Sequence, residues 1–205
     1  SFEGILDPAR VVDGISAFKT PTQLEMCGSI LRSYMSRRII TTKTDHQLAT
    51  GDEVGILPKH AGSMAEYTPK QVYKASTFTT DLPAPVVTSF GAGADGATAW
   101  TAGTVLRVRV AAFRGASWES CQGGVPAEGL ASAEAQWTTT TQKARVEWSL
   151  GSDDADGFHV YLNDEWLATV PAGIFHLEFD TLATDSARPF PTVNLSRSRV
   201  FHFAD

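Results

Sequence analysis

Four stretches in the second half of the chain alternate apolar and polar residues too regularly to form anything but half-buried strands. In GTVLRVRVAAF, Leu106, Val108, Val110 and Ala112 share one face, and Arg107 and Arg109 take the other. KARVEWSL sets Ala144, Val146, Trp148 and Leu150 against Arg145 and Glu147. GFHVYLNDEWLATV has the form of a hairpin turning at Asn163-Asp164-Glu165, with His159 opposite the apolar face. IFHLEFD places Phe175, Leu177 and Phe179 inward, with His176 and Glu178 outward. Period-two patterning of this kind belongs to antiparallel sheets with one buried face. About seven such strands over residues 83–205 predict a β-sandwich, with SRSRVFHFAD as its last strand.

The first part of the chain is patterned differently. TPTQLEMCGSILRSYMSRR predicts a helix, with Thr20 as N-cap, Pro21 at the first helical position and Gln23 closing a capping box. Leu24, Cys27, Leu31, Tyr34 and Met35 would share its apolar face, and Arg32, Arg37 and Arg38 would complement the dipole at its C-terminal end. Ahead of it, Phe2, Ile5, Leu6, Val11, Val12, Ile15 and Phe18 form an arm apolar enough to need docking. RIITTKT, LATGDEVGIL and KQVYKASTFTT are rich in β-branched and aromatic residues and predict a compact β module. TTDLPAPVV, stiffened by Pro83 and Pro85, is the expected boundary. The expected organisation is an N-terminal arm and helix (1–38), a small β module (39–82), and a sandwich with a C-terminal extension (83–205).

At 205 residues the chain can bury a core without staples. No apolar run approaches the length of a membrane span, and the opening SFEGILDPAR lacks the features of a signal peptide. Cys27 and Cys121 are too few for a disulfide framework and are expected as free thiols. Residues 1–82 are balanced in charge, so the net charge of −6 falls on residues 83–205. An acidic surface disfavours phosphate backbones, so no specific nucleic acid is expected as a partner.

Chemistry has little purchase in these residues. There is no nucleophile elbow, zincin helix, Cys-x-x-Cys pair or phosphate loop. His159 and His176 are expected at the surface, and His46 is expected to order a turn rather than act as a base. GSDDADG, residues 151–157, resembles a calcium loop. With Gly157 sixth, however, Ser152 would stand first and Asn163 twelfth, where a bidentate Glu is required. It is expected to be a turn between strands. No catalytic residue, metal ligand or cofactor is therefore assigned. Trp148 is expected in the core by its phase with Val146 and Leu150. Trp166, just after a turn, is the aromatic most able to stack on a sugar.

Two resemblances follow from these stretches. LPAPVVTSF through GTVLRVRVAAFRGASWES and KARVEWSLGSDDADGFHVYLNDEWLATV to IFHLEFDT resembles a fibronectin type III-like domain of the kind found in bacteriophage and bacterial surface proteins. It covers about residues 83–182. The connection CQGGVPAEGLASAEAQWTTTT is longer than that pattern has. TTKTDHQLATGDEVGIL followed by YTPKQVYKASTFTTD is similar to a small β module of phage tail and other virion proteins. His46, Leu48, Gly51, Asp52 and Val54 match its first part, and Val72, Tyr73, Thr77 and Phe78 its second. Gln47 stands where that module usually has Gly.

The expected fold class is mainly β: an arm and one helix, a small β module, then an immunoglobulin/fibronectin III-like antiparallel β-sandwich. The resemblances imply a non-enzymatic structural component of a bacteriophage particle, in the tail, neck or collar, baseplate, or as a capsid decoration. Its partners would be other virion proteins, with a symmetric homo-oligomer or ring expected, and its location the virion, after synthesis in the bacterial host cytoplasm. Expected contact residues are Phe2, Ile5, Leu6, Arg32, Arg37, Arg38 and Trp166. The alternative is a module binding host-surface glycan through exposed aromatics, or a cell-surface adhesion fragment.

Overall fold

The structure, a computed structural model, describes residues 14–17, 22–25, 39–57, 72–121 and 124–204. These residues are mainly β, in antiparallel sheets. No helix occurs among them. They divide into two compact units: residues 1–80, 118–127 and 195–205 form the first, and residues 81–117 and 128–194 the second.

The described residues of the first unit form one sheet. Its strands are β1 (Gly14–Ala17), β2 (Thr22–Glu25), β3 (Ile39–Thr41), β4 (Glu53–Leu57), β5 (Val72–Thr77) and β15 (Val200–Ala204), in the order β2-β1-β4-β5-β15-β3. The three strands predicted for the β module are β3, β4 and β5. The predicted helix is not seen. Its first part, Thr22–Glu25, is a strand running antiparallel to β1, from Ala17↔Thr22 to Gly14↔Glu25. A capping box is a local preference worth about 1 kcal/mol, and ladder bonds to a neighbouring strand satisfy the same backbone groups. The rest of the predicted helix, with Arg32, Arg37 and Arg38, lies outside the described residues, as does the arm with Phe2, Ile5 and Leu6.

A second difference concerns β15. SRSRVFHFAD does contain a strand, but that strand does not close the sandwich. It pairs with β5 (Phe201↔Thr77) and with β3 (Phe201↔Ile40). Phe201 and Phe203 then join Ile40, Val54 and Ala75 in the core of the first unit. The alternation Val200-Phe201-His202-Phe203 fits either location. Only the partner distinguishes them, and the partner is not local.

The second unit is sandwich-like. One sheet contains β6 (Val86–Asp95), β10 (Gln142–Ser149) and β13 (His176–Phe179), ordered β13-β10-β6. The other contains β7 (Val105–Arg114), β11 (Gly157–Leu162), β12 (Glu165–Pro171) and β14 (Asp185–Pro189), ordered β14-β12-β11-β7. β9 (Ala135–Thr138) also pairs with β7. The two-residue β8 (Ala127–Glu128) continues that sheet at the point where the chain enters its second segment of the unit. The inner faces are the ones the alternation marks. Leu106, Val108, Val110 and Ala112 from β7 meet Ala144, Val146 and Trp148 from β10, all buried in one cluster with Phe158, Val160 and Leu162. Trp148 and Phe158 touch across the two layers in a T-shaped contact, with centroids 5.4 Å apart. Edge-to-face rings of this kind add to the burial that holds two sheets together.

The predicted hairpin is β11–β12. Its turn is the pair Asn163-Asp164, at φ 51° and 72°. A two-residue turn with both φ positive matches the right-handed twist of the strands it joins, and Asn and Asp tolerate that region best among residues with a Cβ. The Asn163 side chain secures the turn by accepting the Arg107 N–H at 3.2 Å.

β11 departs from its predicted alternation, because all six of its residues are buried. Its first residue shows how tightly. A Cβ on Gly157 would lie 2.8 Å from two ring carbons of Phe113 and 2.8 Å from the Val170 carbonyl oxygen. Gly157→Ala should therefore force strand and ring apart. The expected loss is about 1–3 kcal/mol, read as a lower urea midpoint with an unchanged slope.

Candidate functional site

The one place where titratable side chains converge in the interior of the second unit is the outer face of β11. Alternation sends His159 and Tyr161 to that face, away from Phe158 and Val160. Glu128 meets them there: His159 Nδ1 lies 2.6 Å from Glu128 Oε1, and the Tyr161 hydroxyl donates to the same oxygen at 2.5 Å. Phe113 stacks on the His159 ring at 4.3 Å and 9°. Farther along the face, Phe190 meets Tyr161 edge-on and carries the Arg109 guanidinium 4.7 Å above its ring.

A histidine, a carboxylate and a phenol are general acid–base material. Burial decides their use, however: His159 and Tyr161 are 0% exposed and Glu128 1%. No reactant reaches them in this conformation. What they do is bind the 128 segment to β11 through hydrogen bonds buried in the interior. The expected surface position of His159 is thus corrected. It lies on the predicted face, but that face is covered. A sequence signal for this exists. The outward positions of β7 and β10 carry Arg and Glu, whereas Gly157–Leu162 holds no charged residue at all. His176, by contrast, is exposed as expected.

Two carboxylates of the acidic turn before β11, Asp154 and Asp156, face protein donors. Asp156 accepts the Gly115 N–H at 2.7 Å, and its own N–H donates to the Phe113 carbonyl. Asp154 lies 3.7 Å from the buried Arg114 guanidinium, and its N–H donates to Ser152 Oγ. These bonds tie the turn to the end of β7 and fit the reading of residues 151–157 as a strand connection. Among the described residues, no group of three His, Cys, Asp or Glu is placed to hold a metal ion.

In the first unit, His46 is the buried titratable group with a complete local account. Nδ1 accepts the Leu48 N–H at 2.9 Å, so it carries no proton, and Nε2–H donates to the Arg197 carbonyl at 3.2 Å. The ring edge rests on Phe201. Burial pulls the His46 pKa below its usual 6.5, against the opposing influence of its backbone hydrogen bonds and of Asp45. The residues after it complete the turn. Gln47 sits at φ 53° and Gly51 at φ 95°. Asp52 accepts the Ala49 N–H at 2.9 Å, and Val54 enters the core at 0% exposure. Each residue of the His46-x-Leu48-x-x-Gly51-Asp52-x-Val54 pattern therefore has a physical task, and His46 orders a turn as its sequence context suggests. The positive φ of Gln47 explains why Gly would suit that position.

Trp166 is half-buried rather than free. The Arg188 guanidinium lies 4.5 Å above its ring and is held by Asp185 at 3.0 Å. One face of the expected sugar platform is thus already occupied. Trp100 and Trp148 are core residues. Cys121 corrects the expectation of free thiols: it is disulfide-bonded, and the one other cysteine in the sequence is Cys27, outside the described residues. Two cysteines 94 positions apart give no pattern from which such a bond could be read. The described residues also hold no helix long and apolar enough to cross a membrane. No family model, no curated protein and no solved structure matches this chain.

Two outcomes follow from the His46 turn. A histidine held neutral by burial takes up its proton more readily in the unfolded chain, so stability should fall as pH drops below 6.5 toward the folded value. His46→Asn keeps an acceptor for Leu48 N–H without titrating, and melting curves between pH 7.5 and 5 should be flatter for it than for the parent. Gln47→Gly should raise stability by about 0.5–1 kcal/mol through relief of the left-handed backbone, measured by urea denaturation at pH 7.

Proposed function

We propose that this chain is a non-enzymatic structural component of a bacteriophage particle, working through protein–protein contacts in the tail, neck or collar, baseplate or capsid decoration. The observation that carries this reading is the His46–Val54 turn. The residues that match the virion β module also hold this turn together: His46 through both ring nitrogens, Asp52 through the Ala49 N–H, and Val54 through the core. A sandwich-like unit directly downstream supports the same reading. β10, β11, β12 and β13 follow one another as the resemblance to a fibronectin III-like domain requires, with Trp148 on the first of them. The likeness has a limit in connectivity. In an immunoglobulin-type sandwich the strand between C and G is F, late in the chain. Here β11 is flanked by β7, which precedes β10. The support for the fibronectin-like reading is thus these four consecutive strands, and the strands around them are connected differently.

The contact role is favoured over glycan binding by Trp166, whose ring is stacked under Arg188 instead of presenting two open faces. Contact through strand edges and apolar surface needs no convergent polar pocket. The test is copy number. In purified particles of the phage that encodes the chain, quantitative mass spectrometry should find it at a fixed multiple per particle, such as about 6 or about 12 for a ring. Absence from the particle would defeat the proposal.

A further inference from the structure

We infer that β6 is a self-association edge, on which a second copy of this chain docks its own β6 antiparallel and joins the two three-stranded sheets into one. β6 ends the sheet β13-β10-β6, and β10 is its one strand partner among the described residues. It is ten residues long, whereas the other described edge strands, β2, β3, β8, β9, β13 and β14, have two to five. Natural edges are kept from pairing by shortness, charge, proline or bulges, and of these β6 has bulges, which lie outside Ser89–Ala92. β13 carries His176 and Glu178, and β14 carries Asp185, Arg188 and Pro189. β6, VVTSFGAGAD, carries no charge before Asp95 and no proline, and Val86 is 62% exposed.

The sequence of β6 also indicates which partner suits it. The bulkier residues Val86, Val87, Thr88 and Ser89 come before Phe90, and the small residues Gly91, Ala92, Gly93 and Ala94 come after it. An antiparallel copy centred on Phe90 sets the bulky half of each strand against the small half of the other. The arrangement is isologous and closes on itself, as two-fold dimers require. It brings no like charges together along Val86–Ala94, although the chain as a whole carries −6. A strand of an acidic or basic partner would find no charged side chain along Val86–Ala94 of β6 to pair with. Bulges break the β6–β10 register on either side of Ser89–Ala92, so this regular central stretch is where docking would begin.

Gly91 is the position from which to test it. A Cβ there meets nothing within 4 Å, and Arg145 stands directly opposite on β10. Gly91→Glu can therefore fold with its carboxylate toward Arg145, while in the dimer the two introduced carboxylates would be near neighbours across the two-fold axis. Sedimentation equilibrium on the full chain should show a monomer–dimer equilibrium. Gly91→Glu should weaken it by at least about 100-fold with the circular dichroism spectrum retained. Mixing Gly91→Glu with Gly91→Lys should restore a heterodimer. Ser89→Lys, facing Glu147 on β10, is the second variant should Gly91→Glu misfold, and it should also dissociate the dimer. A parent chain monomeric up to about 1 mM, or a dimer that folded edge variants leave intact, overturns the inference. Since the purified chain is the sample, neither outcome depends on whether the protein belongs to a virion.

Discussion

The second unit depends on the contact between its two inner faces, of which Trp148 against Phe158 is the central pair. Neither sheet buries enough apolar surface alone, and three strands of β10's sheet would be marginal without the layer opposite. Once β7 and β11 face β10, the alternation of every strand fixes what points outward. The position of the polar chemistry follows from this. His159 and Tyr161 share a face because Phe158 and Val160 must take the other. The Asn163-Asp164 turn has two residues because β11 and β12 must stay in that register.

Much of this architecture was legible in the residues. β7, β10, β13 and the β11–β12 hairpin follow from period-two alternation, which is a direct image of a half-buried sheet. The role of His46 also followed from its neighbours. What could not be read was long-range. Thr22–Glu25 has credible helix-start chemistry, and β1 outcompetes it from outside the segment. β15 alternates correctly for either unit. The cover over His159 and Tyr161 is supplied in part by Glu128 for both and Phe190 for Tyr161, each about thirty positions away, and only the missing charge in β11 hinted at it. The disulfide at Cys121 left no local trace.

The polar groups divide by exposure into two kinds of work. Glu128, His159 and Tyr161 are buried and hold one segment against a strand. Arg109 reaches Glu134 at 3.1 Å and Asp164 at 3.3 Å across half-exposed surface, where such pairs contribute little to stability.

The return of β15 to the first unit has a consequence for how the protein is made. Phe201 pairs with Thr77 across 124 positions, and the whole of residues 128–194 is synthesised between them. While the ribosome is still reading, the sheet of β4 and β5 lacks the strand that carries Phe201 and Phe203 into its core. The sandwich-like unit can mature first, and the first unit must wait, with one edge of β5 bare, until residues 200–204 emerge. Completion of the first unit is therefore a late event, written into the order of the chain.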